Sequence, residues 1–146
     1  MKEERGAFPK VDKIWMDGEL VDWMDAKIHV LTHALHYGSA VFEGIRCYDT
    51  KKGSLIFRLH EHLDRMYRSA KLYKMKIPYT EKELTDAIKG TIRANKLHSC
   101  YIRPIAFYGY YYLGVHPTKC PVTCAIATWP WDCLLYTSDA ADEEDS

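Results

Sequence analysis

The chain has 146 residues, 47% of them hydrophobic and 27% charged, with 20 basic and 20 acidic side chains. That composition belongs to one globular domain, able to bury roughly two-thirds of its unfolded surface. It excludes a membrane-spanning helix, because no run approaches about 18 apolar residues, and the even charge excludes a strongly basic nucleic-acid binder.

Residues 1–12 show no periodicity and read as a loose arm. Met1 to Gly6 mixes both charge signs and has no apolar core of a signal peptide. Five cysteines at irregular spacing argue against a secreted disulfide framework and for a reducing cytoplasm.

Residues 14–16 and 19–21 flank Asp17-Gly18, the pair that a type I′ hairpin turn prefers. Residues 40–48 and 54–58 form a second predicted hairpin. Leu59, Leu63, Met66, Tyr67, Ala70 and Tyr73 then recur at helical spacing. Thr80 and Glu83 make a capping box for the next helix, with Tyr79 and Leu84 as its hydrophobic staple. Leu84, Ala87, Ile88, Thr91 and Ile92 line one face of that helix. Strands are predicted over 101–110 and 122–129. The order predicts an α+β fold, with two helices packed on one mainly antiparallel sheet.

His29, His33 and His36 fall near one face of a turn, and Cys120 and Cys124 have no second pair near them. No metal site is predicted from these spacings. A phosphate-cradling glycine loop and a nucleophile elbow are both absent from the sequence.

The chemistry concentrates in two segments. His36-Tyr37-Gly38-Ser39-Ala40-Val41-Phe42-Glu43-Gly44-Ile45-Arg46-Cys47-Tyr48 carries aromatic rings, an arginine and Gly44 within a strand, and a strand glycine marks a bend or a close backbone approach. Tyr101-Ile102-Arg103-Pro104 puts a phenol and a guanidinium on the same side of a strand. These segments, and most of residues 13–131, resemble the N-terminal part of the branched-chain amino-acid aminotransferases, fold-type IV enzymes that use pyridoxal 5′-phosphate. The FEGIRCY and YIRP strings favour the bacterial branched-chain branch. A D-amino-acid aminotransferase or an aminodeoxychorismate lyase is the alternative within the same fold type. A stand-alone module that binds a phosphorylated ligand is the alternative outside it.

The resemblance implies roles that the residues alone do not. Arg65 matches the arginine that grips the cofactor phosphate; without the family it reads as a solvated surface side chain. Tyr101 matches the tyrosine on the substrate α-carboxylate, and Arg103 the arginine that receives the side-chain carboxylate of glutamate. Phe42 and Trp131 match apolar walls of the side-chain pocket. Tyr37 and Val115 match residues that reach the neighbouring subunit's site, which implies a homodimer-based oligomer. The implied partners are amino-acid and 2-oxo-acid substrates, with neither nucleic acid nor membrane. The tyrosine-rich stretch 108–114 departs from the family's interdomain loop and puts the substrate preference in doubt.

The lysine and the acid that hold the cofactor belong to the family's C-terminal domain and have no counterpart here, so no catalytic residue is assigned. Residues 133–146 match no part of the pattern and read like a translated sequencing adapter. Removing their five acids leaves 20 basic against 15 acidic residues, a formal +5 over residues 1–132, which suits a phosphate-bearing ligand. The expected organisation is an arm over 1–12, a truncated small domain over 13–132 and a non-native tail over 133–146. The expected product is an inactive fragment that lacks the C-terminal domain.

Overall fold

The computed structural model describes residues 6–8 and 11–130. The first hairpin joins β1 (Lys13–Met16) to β2 (Glu19–Asp22), with Ile14 opposite Val21. Asp17 and Gly18 both take positive φ, 48° and 97°, as a type I′ turn demands. The Asp17 carboxylate also accepts from the Cys124 amide at 2.8 Å, tying the turn to the last strand.

A short helix, α1 (His33–Tyr37), follows and is closed by Gly38 at φ 65°. It is too short to show helical periodicity, and sequence spacing places only a turn there. Next come β3 (Ala40–Phe42), β4 (Ile45–Thr50) and β5 (Gly53–Ile56). The single strand predicted over 40–48 is therefore two strands. Helices α2 (Leu59–Leu72) and α3 (Glu81–Ala94) precede the long pair β6 (Cys100–Tyr108) and β7 (Val122–Pro130).

Pro104 explains the split strand. Register is unbroken across it, since Phe42 pairs with Ile105 and Ile45 with Ile102. Glu43 and Gly44 thus lie opposite Pro104 and Arg103. Proline has no N–H to donate, so the ladder there keeps only the bond from the Glu43 amide to the Pro104 carbonyl, at 3.1 Å.

All strand pairs are antiparallel, in the order β2-β1-β7-β6-β4-β5, with β3 also paired to β6. Leu63, Met66 and Ala70 of α2 join Leu84, Ile88 and Ile92 of α3 in a core against Val41, Ile45, Ile102 and Ile126. The predicted α2 stripe ends at Ala70, because Tyr73 lies past the helix end and is 48% exposed. Both bonds of the predicted capping box form, Glu83 N–H to Thr80 Oγ1 at 3.1 Å and Thr80 N–H to Glu83 Oε1 at 3.0 Å. Tyr79 turns its ring edge-on to Trp15, with centroids 4.9 Å apart. Asn95, just past α3, accepts from Lys13 N–H at 2.8 Å and donates to Thr128 Oγ1 at 2.9 Å. Both helices therefore cover one sheet face.

Candidate active site

The sheet face away from the helices holds the predicted substrate residues. Tyr101 and Arg103 alternate with the buried Cys100 and Ile102 of β6, so both point to that face. Gly44 makes room for them. A Cβ at position 44 would lie 1.8 Å from the Tyr101 hydroxyl oxygen, so only hydrogen fits beneath the phenol. Arg103 Nη2 donates to that hydroxyl at 2.9 Å. Its guanidinium carbon stands 4.3 Å from the Phe42 ring centroid and 5.5 Å from that of Tyr101, within the range of cation–π attraction. Trp129 packs on Tyr101 at 5.0 Å and completes an aromatic floor.

Arg103 Nε is buried and has no hydrogen-bond partner among the described residues. The arrangement is an aromatic wall with a cation on it, able to present either an apolar plane or a charged edge.

Beyond β6, Tyr37 is tied to the loop that carries Val115. The Tyr37 hydroxyl donates to the Leu113 carbonyl at 3.0 Å. His33, only 1% exposed, donates from Nε2 to the Gly114 carbonyl at 2.8 Å and accepts at Nδ1 from Ser39 Oγ at 2.8 Å. A carbonyl can only accept, which sets that tautomer for the neutral ring. The Tyr37 ring stacks on His33 at 4.5 Å. Val115 is 71% exposed and Tyr37 47%, so both present apolar surface outward.

Arg65 lies apart from this face. It sits on α2, and among the described residues no contact joins it to Tyr101 or Arg103. Its partner is Glu43, which shares the buried, helix-facing side of the strand with Val41 and Ile45. The Glu43 side chain is 4% exposed. Its Oε1 accepts from Arg65 Nη2 at 2.7 Å and from His62 Nδ1 at 2.8 Å, and its Oε2 from Arg65 Nε at 2.9 Å. Burial pushes this carboxyl up, but the bonds from Arg65 and His62 and their charges outweigh it and hold Glu43 below the usual carboxylate range. The same pairing raises Arg65. Only one edge of the guanidinium is engaged by Glu43, and the Arg65 side chain remains 62% exposed. With Arg58, Glu61, His62 and Arg68 it lines a cleft of about 250 Å³. Three guanidiniums outnumber the one carboxylate there, and the free edge of Arg65 has the geometry to meet the oxygens of an anion.

Trp131 lies outside the described residues. The residue pattern gives no role to Glu43 or Trp129, and it marks His33 and His62 only as histidines without a metal site. Glu43 did carry a signal: a carboxylate on the core-facing side of a strand requires cationic partners.

The α+β domain thus carries an exposed arginine tied to Glu43 on its helix layer and a Tyr–Arg pair on its open sheet face. Residues 40–137 match the family Amino-transferase class IV, and the chain belongs to that family. It is 51% identical over 122 residues to the branched-chain-amino-acid aminotransferase of Pseudomonas aeruginosa, covering 84% of this chain and 40% of that protein. It is 49% identical over 127 residues to the Escherichia coli K12 enzyme of the same name, covering 86% of this chain and 41% of that one. Among solved structures, a branched-chain amino acid aminotransferase from T.th., complexed with N-(5′-phosphopyridoxyl)-L-glutamate, superposes with a TM-score of 0.81 at 50% identity. That likeness covers 84% of this chain and 41% of the other. The chain thus spans about two-fifths of the length of these relatives. Class IV aminotransferases depend on pyridoxal phosphate, and a further structure of the T.th. enzyme is with pyridoxamine 5′-phosphate.

Proposed function

We propose that this chain forms the small-domain wall of the active site in a branched-chain aminotransferase. The parent protein transfers the amino group of L-leucine, L-isoleucine or L-valine to 2-oxoglutarate. The observation that carries this reading is the Arg103–Tyr101–Phe42 group on the open sheet face. One pocket must take an aliphatic side chain in one half-reaction and a carboxylate in the other. The Phe42 ring with the flat guanidinium above it packs against an aliphatic chain. The guanidinium of Arg103 receives the second carboxylate of glutamate. The Tyr101 hydroxyl holds the α-carboxylate.

Arg65 holds the phosphate of pyridoxal 5′-phosphate through the edge that Glu43 leaves free. When bound, the cofactor supplies the electron sink for breaking bonds at the amino-acid α-carbon. Trp131 adds a further apolar wall. Tyr37 and Val115 close the neighbouring subunit's pocket in a homodimer-based oligomer. On this reading residues 13–132 are the small domain, preceded by an arm over 1–12, and residues 133–146 are not native to it. The buried free thiols of Cys47, Cys100, Cys120 and Cys124 suit a reducing cytoplasm.

A chimaera tests the assignment: residues 11–130 replace the matching segment of the Escherichia coli relative. Activity on L-leucine with 2-oxoglutarate, and none on D-alanine, is the expected result. Activity on D-alanine without L-leucine overturns the substrate assignment.

A further inference from the structure

Between α2, α3 and the β4–β5 hairpin, the helix layer leaves a cavity of about 600 Å³. This is the helix-covered face of the sheet, opposite Tyr101 and Arg103, since buried Cys47 belongs to its lining. Ile56, Leu59, Ile92 and Leu97 supply apolar walls, and the exposed Lys89 and Arg93 also line it. Those two cations are four residues apart on α3 and therefore adjacent on one helix face. Among the described residues no acidic side chain lines the cavity.

We propose that this cavity is a second binding site, for a small carboxylate with an aliphatic tail. Its volume falls within the usual range for small-molecule sites, roughly 300–1,000 Å³, whose linings are mainly apolar with few polar groups. The tail lies against Ile56, Leu59, Ile92 and Leu97, where each methylene taken out of water adds to the affinity. The carboxylate lies between Lys89 and Arg93 and accepts charge-assisted bonds from both. An inorganic anion leaves the apolar walls in water, and a neutral amphiphile leaves two adjacent cations uncompensated. Only a ligand that carries both parts uses the whole site. The site shares no residue with the Arg103 group or with Arg65, so it stands independently of the transaminase reading.

Titration of the chain with octanoate, followed by methyl NMR of Ile56, Ile92, Leu59 and Leu97, tests this. Saturable shifts confined to those methyls are expected, with octan-1-ol and inorganic phosphate each binding at least tenfold more weakly. K89E/R93E alters two exposed side chains and is expected to weaken octanoate at least tenfold, with an unchanged circular dichroism spectrum. If charge reversal disturbs the fold, K89Q/R93Q replaces it and must weaken binding at least fivefold. Octan-1-ol or phosphate binding as tightly as octanoate overturns the proposal. So does undiminished binding in the folded double variant, absence of saturation, or shifts centred on Trp129 rather than Ile92.

Discussion

Glu43 and Arg65 form a two-pronged ion pair, with Oε1 to Nη2 at 2.7 Å and Oε2 to Nε at 2.9 Å, in which the carboxylate is buried and the guanidinium largely solvated. This asymmetry orients the arginine: one edge is fixed from below, and the other faces out. It also links the sheet break at Pro104 to the helix that carries the phosphate-suited side chain.

Glu43→Gln is expected to lower stability by about 1.5–3 kcal/mol, the range for hydrogen bonds to charged groups, with the exposed end of Arg65 keeping it near the lower bound. The folded carboxyl titrates below its ordinary value of 4.5. Its contribution is therefore complete above that pH and is lost as pH falls through the lower folded value. Denaturant unfolding between pH 3 and 7 should show the wild-type advantage over Glu43→Gln shrinking below about pH 4.5. An advantage that stays constant with pH contradicts the ion pair.

Gly44→Ala places a methyl 1.8 Å from the Tyr101 hydroxyl oxygen. The phenol must move, and its bond from Arg103 goes with it. A loss of about 1–3 kcal/mol is expected for such overpacking. In the chimaera, kcat/KM for L-leucine should fall at least tenfold with the fold retained by circular dichroism. A silent Gly44→Ala refutes the close approach.

His33→Ala removes both the Gly114 and Ser39 bonds of a buried ring and leaves a cavity under Tyr37. A loss of about 2–4 kcal/mol is expected. The loop with exposed Tyr110, Tyr111 and Tyr112 should then be cut several-fold faster by chymotrypsin. Equal cutting rates place the loop's anchor elsewhere.

Burial raises the thiols of Cys100 and Cys124 to about 12, from an ordinary 9.0. The thiolate is the nucleophile, so at pH 8 both should resist iodoacetamide in the folded chain and react once unfolded. The unfolded thiols ionise first, so stability should also fall as pH rises from about 9 towards 12. Mass spectrometry of labelled peptides checks the first claim. Labelling of Cys100 in the native state contradicts it.

Much of this architecture is legible in the residues. Asp17-Gly18 announces its hairpin because few pairs tolerate two positive φ values, and the Thr80–Glu83 box announces its helix because both partners sit in local sequence. Gly44 signals a close approach, though not that Tyr101 is what approaches. What escapes is tertiary. The break between β3 and β4 depends on a proline about sixty residues away on β6. Arg65 reads as solvated from its helix face, and its tie to Glu43 depends on two elements meeting. Helix α1 is held by contacts of His33 and Tyr37 with a distant loop, not by its own periodicity.

The central claim is that Arg103 gives one pocket two substrate classes. In the chimaera, Arg103→Met keeps an apolar, flexible side chain over Phe42 while removing the charge. The decisive measurement is the KM of this variant for 2-oxoglutarate beside that for 4-methyl-2-oxopentanoate. The account predicts at least a tenfold rise for 2-oxoglutarate and less than a threefold change for the branched oxo acid. An equal rise for both would contradict it and reduce Arg103 to a structural partner of Tyr101.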